Sequence, residues 1–323
     1  MFLQTIDRII NNSNTLTDYK FIIFIKYLLI ALEEEEELYS LHLIRVHVSR
    51  FITTDYTGKF VKAMLIQANP ELEEIFEKKL KEANPKPIRI TPLLRYSKKE
   101  KNNGLTSTPL PTLAIYPKSN TNVEEKIPLE IGGEYYFLVG INNSLKPQLS
   151  RALINLSSGL IMKYGDFEVK VKMREYQLVE VNDPPSNFST LKIKFISPAL
   201  FRDPFSYIAK VENDKLKRFL PIPPVIFSVN VYELLRVRYG KTIIRLGYAF
   251  RETPDILRNI RIIWYNYDNK LLPGVIGYAK FIRRQKLRRE VIEDFKKILK
   301  HAQIMGVGTS RGTGFGYTII ETE

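Results

Sequence analysis

The sequence Gly306-Val307-Gly308-Thr309-Ser310-Arg311-Gly312-Thr313-Gly314-Phe315-Gly316 contains five of the sixteen glycines of this 323-residue chain. Glycine loses more backbone entropy on folding than other residues, so a run this dense indicates a positional need. A loop with few Cβ atoms lets its backbone lie against a ligand, and its N–H groups can converge on phosphate oxygens. Arg311 adds a planar fork of donors that suits phosphate. We therefore predict an anion-binding loop.

Two common phosphate-binding motifs do not fit this loop. A dinucleotide fingerprint requires G-x-G-x-x-G before a long helix, but Arg311 occupies the position of the third glycine. A nucleoside-triphosphate loop requires Gly-Lys-Ser/Thr, which the stretch lacks. The residues alone leave open a second interpretation, a tight glycine turn between a helix and a final strand that binds no ligand.

The positive charge of the chain is concentrated after Leu191. From there onward 25 Lys and Arg residues outnumber 12 Asp and Glu residues, whereas the first 190 residues carry 24 and 23. A basic half favours a polyanionic partner. A thermophile surface would be balanced in sign, and attraction to acidic lipid is the other alternative. We favour nucleic acid.

Composition argues against metal and cofactor sites. There are no cysteines, and the three histidines, His42, His47 and His301, are scattered. Disulfides and thiolate metal sites are therefore excluded, and no zinc site or other cofactor is predicted. His42 and His47 lie an odd number of residues apart on a predicted strand, so they point to opposite faces.

Residues 1–37 differ from the rest of the chain. They contain an apolar run of twelve residues, Phe21 to Leu32, interrupted by Lys26. A membrane-spanning helix needs about 20 apolar residues, and no clear signal peptide is present. We predict an N-terminal extension, either helical or upstream of the true domain start, with no membrane partner and a cytoplasmic location.

Residues 38–183 show the pattern of a ferredoxin-like domain. Strands are predicted at 38–48, 88–91 and 135–139, with a strand or hairpin at 167–181. Helices are predicted at 58–67, 70–81 and 147–161. When the first two helices are counted as one crossover, the order is strand–helix–strand–strand–helix–strand.

Residues 191–323 repeat this broad order after a turn-rich linker at 182–187. Strands are predicted at 191–198, 260–265, 274–281 and 316–320, and helices at 224–238 and 288–303. The predicted fold class is α+β, with tandem ferredoxin-like domains that form a cleft.

The glycine stretch resembles the signature of the CRISPR repeat-processing endoribonucleases, within the RAMP superfamily of RNA-binding proteins. It reads G-h-G, five residues, G-h-G, where h is Val307 or Phe315, between an amphipathic helix and a last strand. A strand ending in Ser197-Pro198 is a second point of similarity. The resemblance covers residues 38–323 and implies tandem RRM-like domains. It also implies cleavage of CRISPR repeat RNA (pre-crRNA) by its own 2′-hydroxyl, without a metal.

The catalytic residues depart from the usual family pattern. No histidine lies between Phe51 and Pro92, and Glu77 or Lys78 falls where the family histidine is expected. The chain resembles histidine-lacking archaeal members, and this resemblance implies catalytic roles for Lys59, Lys62 and Lys86, with Tyr56 as a candidate for the 2′-hydroxyl. Clustered ammonium groups depress one another's pKa, which suits a proton donor. Ordinary surface lysines are the alternative.

A second basic segment precedes the glycine stretch. Arg283, Arg284 and Lys286 begin a run of five basic residues that ends at Arg289. Like charges this close favour a polyanion, although a solvated turn would explain them too. The predicted RNA-binding residues are these three and eight from the glycine stretch: Gly306, Gly308, Thr309, Ser310, Arg311, Gly312, Gly314 and Gly316.

Two functions fit the resemblance. The first is an endoribonuclease that cuts repeat transcripts into guide RNAs, and the second is a non-catalytic RAMP subunit that binds guide RNA in an interference complex. Only the first requires the lysines. Interference-complex proteins and a second copy of the chain are the other candidate partners.

Overall fold

The computed structural model describes residues 37–77, 85–97, 104–117, 127–210, 217–254, 256–267, 270–284 and 286–323. The predicted N-terminal extension lies outside these residues except for Glu37. The predicted helix at 70–81 lies inside them only as far as Glu77, so Lys78 is not described.

The first half builds one antiparallel sheet with its helices on one face. Its strands are β1 (Tyr39–Thr53), β2 (Ile88–Ile90), β3 (Leu94–Arg95), β4 (Leu113–Ala114), β5 (Leu129–Asn142), β6 (Leu160–Tyr164) and β7 (Phe167–Val179). Its helices are α1 (Thr57–Ala68), α2 (Glu71–Glu77) and α3 (Lys146–Ser158). The strand order is β4-β3-β5-β1-β7-β6, and β2 also pairs with β5. The path β7-β1-β5-β2 is the order of a ferredoxin-like sheet.

The helical side of this sheet is held by a hydrophobic core. Phe60, Val61, Met64 and Leu65 recur at helical spacing and form the buried stripe of α1. They pack with inward-facing residues of β1, such as Ile44, in one contiguous cluster. This packing fixes α1, and with it Lys59 and Lys62, relative to the sheet.

The second half builds a second antiparallel sheet. Its strands are β8 (Thr190–Ala199), β9 (Phe201–Arg202), β10 (Lys217–Arg218), β11 (Phe250–Glu252), β12 (Ile260–Tyr267), β13 (Lys270–Arg283) and β14 (Thr318–Thr322). Its helices are α4 (Pro204–Ile208), α5 (Pro223–Ile226), α6 (Ser228–Leu235), α7 (Tyr239–Ala249), α8 (Ile256–Asn259) and α9 (Arg289–Met305). The order β14-β8-β13, with β12 pairing β13, is again ferredoxin-like. β9 and β10 form a separate hairpin.

The two halves share a core around α9. Phe295 and Ile298 of α9 belong to the same buried cluster as Leu41 and Leu43 of β1 and Leu138 of β5. The C-terminal helix therefore packs on the face of the first sheet that its own helices leave open. This contact brings the glycine stretch, which follows α9, towards the N-terminal half.

The structure departs from the sequence-based elements at several places. The predicted helix at 147–161 ends at Ser158, because Gly159 adopts a positive φ of 93°. Leu160–Tyr164 then forms β6, which hairpins onto β7. The first strand continues to Thr53 beyond its predicted end, with a register shift between Val48 and Phe51. Helix α7 was not predicted. In the part of the chain that is described, no helix is long and apolar enough to cross a membrane.

Candidate functional site

The glycines of the 306–316 stretch allow its backbone to pack on the protein itself. Gly306, Gly308, Gly314 and Gly316 have φ between 70° and 98°, a region that residues with a Cβ rarely adopt. A Cβ on Gly316 would lie 1.9 Å from the carbonyl oxygen of Val307, and one on Gly308 would lie 2.4 Å from that of Leu200. At Gly308 and Gly316, the absence of a Cβ therefore allows close packing against the protein's own backbone.

The backbone donors of the stretch are largely engaged within the chain. The N–H of Thr309 donates to Leu200 at 2.8 Å, and that of Gly316 donates to Pro198 at 2.9 Å. The N–H groups of Val307, Thr313 and Gly314 also donate to carbonyl groups of the stretch itself. The five glycines are buried, whereas Ser310 is exposed. The predicted phosphate cradle is therefore wrong for these five donors.

Arg311 does not present its guanidinium to solvent, so its predicted role as a phosphate ligand is wrong. Its side chain is 4% exposed, and Nη2 donates to Oε2 of Glu233 on α6 at 2.7 Å. Burial raises the pKa of Glu233, and the charge of Arg311 opposes that shift. The pair ties the glycine stretch to α6.

His301 and Asn230 complete this buried cluster. Nδ2 of Asn230 donates to the Gly306 carbonyl at 2.9 Å and lies 3.0 Å from Nδ1 of His301. Nδ1 is then the acceptor, which leaves the proton on Nε2, 3.4 Å from Glu233. Burial lowers the pKa of His301 well below its usual value, and the charge of Arg311 lowers it further. His301 is therefore a neutral structural residue.

The 3-10 turn of the stretch, Arg311–Thr313, contacts the predicted catalytic helix and strand of the N-terminal half. A Cβ on Gly58, at the start of α1, would lie 2.3 Å from the carbonyl oxygen of Thr313. A Cβ on Gly312 would lie 3.3 Å from Cδ of Lys86. The fold thus brings the glycine stretch and the lysines, more than 200 residues apart in sequence, to one location.

The three lysines are half-buried and each has an internal partner. Lys59 Nζ lies 3.0 Å from Asp55. Lys62 forms an ion pair with Glu77 at the end of α2. Lys86 Nζ donates to the carbonyl of Phe76, one residue earlier. Lys62 and Lys86 therefore meet at Glu77, while Lys59 lies beside Gly58.

Lys86 has the electrostatic character expected of a proton donor. Burial lowers the pKa of Lys86, and the neighbouring charge of Lys62 lowers it further. Glu77 opposes both effects and raises this pKa. An ammonium group with a depressed pKa gives up its proton closer to neutral pH.

Tyr56 is buried, so its predicted role at the 2′-hydroxyl is wrong. The side chain is 1% exposed, its ring stacks on Phe315 with centroids 4.5 Å apart, and its hydroxyl donates to the Gly314 carbonyl at 2.8 Å. Burial raises the pKa of Tyr56 well above its usual value, and nearby Tyr116 adds to the shift. Tyr56 instead anchors the glycine stretch to the start of α1.

We expect Tyr56→Phe to leave RNA cleavage within about threefold of wild type, because the substitution removes one hydrogen bond worth about 1 kcal/mol. The ring and its stacking remain. Single-turnover cleavage would measure the rate, and chemical denaturation would measure the stability lost with the hydrogen bond. A rate loss near 10²-fold in a normally folded variant would restore Tyr56 as a catalytic group.

The second basic segment lies at the other end of α9. Arg284 and Lys286 are exposed, whereas the Arg283 guanidinium lies over the ring of Phe188 at 4.6 Å and donates to the Ser186 carbonyl. Helix α9 has 17 residues, so it separates this segment from the glycine stretch by about 25 Å. RNA binding by this segment stays a prediction.

Arg89 is a residue whose importance the sequence analysis missed. It is fully buried in β2, and Nη1 donates to the carbonyls of Ile304 and Gln303 at the end of α9, at 2.5 and 3.4 Å. A cation there is stabilised by the helix dipole, although burial lowers the pKa of Arg89 to about 10. An arginine between two isoleucines in a short strand was the available signal. Arg89 holds the start of the glycine stretch against β2.

The model of the family described as CRISPR-associated endoribonuclease Cas6 matches residues 193–318. No curated protein matches the chain.

Three solved structures cover most of this chain and nearly all of their own. Thermus thermophilus Cas6 in a product complex has 14% identity and a TM-score of 0.57, covering 89% of this chain and 100% of its own. Thermus thermophilus Cas6 in a second structure has 12% identity and a TM-score of 0.52, with coverages of 89% and 99%. The product of a Cas6-related gene from Pyrococcus furiosus has 11% identity and a TM-score of 0.51, with coverages of 87% and 98%. Identities this low establish the fold alone. The C-terminal part of this chain, residues 193–318, thus matches the Cas6 endoribonuclease family model, and the whole described chain shares its fold with these solved Cas6 structures.

Proposed function

We propose that this protein cleaves CRISPR repeat transcripts into guide RNAs without a metal, by attack of the RNA's own 2′-hydroxyl. The observation that supports this most strongly is the contact between the glycine stretch and the lysines. Gly312 lies against the stem of Lys86, and Gly58 places α1, with Lys59 and Lys62, against the same turn. Lysines on α1 and beside β2 thus meet the part of the chain that matches the family model.

The reaction requires bond making and bond breaking at one phosphorus. The 2′-oxygen bonds to phosphorus and gives its proton to solvent water, while the bond from phosphorus to the 5′-oxygen breaks. The leaving 5′-oxygen takes a proton, which we assign to the Lys86 ammonium. Lys59 and Lys62 stabilise the extra negative charge of the phosphorane. The products are a 2′,3′-cyclic phosphate and a 5′-hydroxyl.

Glu77 has a role of its own in this proposal. It lies in the region where the family histidine is expected, and its carboxylate binds Lys62. Its charge also raises the pKa of Lys86. We propose that Glu77 holds the two lysines in place before RNA binds and keeps Lys86 protonated. The carboxylate is 61% exposed, so RNA phosphate can displace it from Lys62.

We expect Glu77→Gln to move the alkaline limb of the pH–rate profile to lower pH. A general acid is active in its protonated form, so the rate falls as the pH rises through the pKa of Lys86. Removing Glu77 removes the effect that raises this pKa, so the fall begins at lower pH. Single-turnover rates across pH would show the shift. Glu73→Gln, an exposed change on the same helix, is the control. An unmoved limb in Glu77→Gln would contradict the assignment of Lys86.

A second function is a non-catalytic RAMP subunit that binds guide RNA. The observation that favours it is that Lys59, Lys62 and Lys86 already have internal partners. Incubation of the protein with cognate repeat RNA in EDTA separates the two functions. Cutting at one site that leaves a cyclic phosphate supports the enzyme, and stable binding without cutting supports the subunit. In either case, interference-complex proteins and a second copy of the chain are the further partners that we propose.

A further inference from the structure

The hairpin of β9 and β10 borders an open cavity beside the glycine stretch. The cavity has a volume of about 260 Å³ and is lined by Phe201 and Arg202 of β9, by Lys217 of β10 and Phe219 just after it, and by Pro273 and Ser310. Ser310 is the exposed residue of the glycine stretch. Ser310 lies two residues before Gly312, so the Cα atoms of Ser310 and Gly312 are at most about 7 Å apart. Gly312 in turn contacts Lys86. The cavity and the lysines therefore flank the same turn.

The hairpin carries two like charges directly opposite each other. Arg202 and Lys217 are register partners in the antiparallel pair, and both are exposed. Opposed side chains in such a pair have their Cβ atoms about 5 Å apart, and like charges there are destabilising. Among the described residues, no ion pair neutralises either cation, whereas the adjacent Arg218 pairs with Asp203. An anion between Arg202 and Lys217 would relieve this repulsion.

The walls of the same cavity are aromatic and apolar. Phe201 is 3% exposed and closes the inner wall, whereas Phe219 is 38% exposed. Pro273 contributes a further apolar surface. An aromatic ring accessible to solvent beside paired cations is the combination by which proteins bind single-stranded nucleic acid, with bases stacked on rings and phosphates beside basic groups.

We propose that this cavity binds one unpaired nucleotide of the RNA, close to the bond that is cut. The base stacks on Phe219, and its phosphate lies between Arg202 and Lys217. This inference rests on the proposed function, because it requires that RNA bind along the glycine stretch. An acidic peptide would satisfy the two cations, but the aromatic wall and the position beside the lysines favour a nucleotide.

The test is a double-mutant cycle between the protein and the RNA. Repeat RNAs, each with one abasic residue at a successive position, are bound to wild type and to Phe219→Ala. We expect Phe219→Ala to weaken binding of intact RNA about tenfold, the loss of one stacked base. At one position near the cut site, wild type should bind the abasic RNA about tenfold more weakly than it binds intact RNA. Phe219→Ala should bind the abasic RNA at that position as tightly as it binds intact RNA. Phe219→Trp should retain the coupling.

Matched variants separate this site from general effects. Phe205→Ala removes a phenylalanine that is 39% exposed outside the cavity and should bind intact RNA normally. Arg202→Gln should lower the slope of log K against log salt by about 0.7, the value for one single-strand phosphate contact. Lys163→Gln, an exposed change on β6, should leave that slope unchanged.

The outcomes distinguish this inference from the proposed function. Coupling at one position supports the nucleotide site, even if wild type binds the RNA without cutting it. If wild type cuts repeat RNA but no abasic position couples to Phe219, the nucleotide site is wrong and the nuclease stands. If wild type does not bind the RNA, both are wrong. Binding of an acidic peptide that is lost in Arg202→Gln, without coupling to RNA, would assign the cavity to a protein partner instead.

Discussion

We expect Lys86→Ala to slow single-turnover cleavage of repeat RNA by about 10²–10⁴-fold, because it removes the proton donor for the leaving oxygen. RNA affinity should change far less, since one phosphate contact among many is lost. Pro87 restricts the backbone of Lys86 to an extended conformation, and Gly312 confines its stem. The group is therefore positioned, as a general acid must be. Rates measured at saturating protein separate chemistry from binding.

Lys86→Arg sharpens this test. Arginine keeps the positive charge but does not give up a proton near neutral pH. A slow Lys86→Arg variant with normal affinity would show that proton transfer, and not charge alone, is the contribution of Lys86. A wild-type rate for Lys86→Ala at saturation would refute the assignment.

Lys59→Ala and Lys62→Ala should also slow cleavage more than they weaken binding. If the three lysines act as a unit, the triple variant should be little slower than the slowest single variant. Lys163→Ala, an exposed change far along the chain from these residues, is the control for general charge. Wild-type rates for all three single variants would leave the lysines as part of the electrostatic surface only.

We expect Arg311→Ala to lower the free energy of unfolding by about 3–5 kcal/mol, because it leaves the Glu233 carboxylate buried without its partner. The two side chains are 4% and 8% exposed. The glycine stretch would also lose its tie to α6. Chemical denaturation monitored by circular dichroism would measure the loss. RNA affinity of the folded fraction should keep its salt dependence, since Arg311 does not reach the surface.

Two variants control for this interpretation. Arg284→Ala removes an exposed arginine and should change stability by no more than about 0.5 kcal/mol. Arg311→Met combined with Glu233→Leu removes both buried charges and should recover most of the lost stability. If Arg311→Ala leaves the free energy of unfolding unchanged and reduces the salt dependence of RNA affinity, then Arg311 contacts RNA.

Much of the fold follows from patterns that act locally. The buried stripe of α1 and the alternation in β7 are readable because one face of each element is apolar. The tandem ferredoxin-like order follows from those elements. Tyr239–Ala249 was missed as a helix, and Leu160–Tyr164 was assigned in part to the preceding helix. The second error arose because Gly159 ends that helix through a backbone conformation that periodicity does not reveal.

The candidate site was predictable in its residue types but not in their burial. Lys86 and the glycine stretch were recognised separately, and tertiary contacts bring them together: α9 packs on β1, and Tyr56 and Arg89 bind the ends of the stretch. Arg311 and Tyr56 look like ligand-binding residues in sequence, yet tertiary contacts bury both. Glu233 is an isolated acid in an apolar helix, and a buried acid needs a cationic partner. It was therefore the sequence signal for a buried cation, which is Arg311.

The most direct test of the central claim is single-turnover cleavage of cognate repeat RNA in EDTA, with and without one 2′-deoxy residue at the cut site. We predict one cut in the all-ribose RNA, with a 2′,3′-cyclic phosphate on one product and a 5′-hydroxyl on the other, and no cut in the 2′-deoxy RNA at equal occupancy. Cleavage of the 2′-deoxy RNA, or binding of the all-ribose RNA without any cut, would contradict a metal-independent nuclease that uses the 2′-hydroxyl.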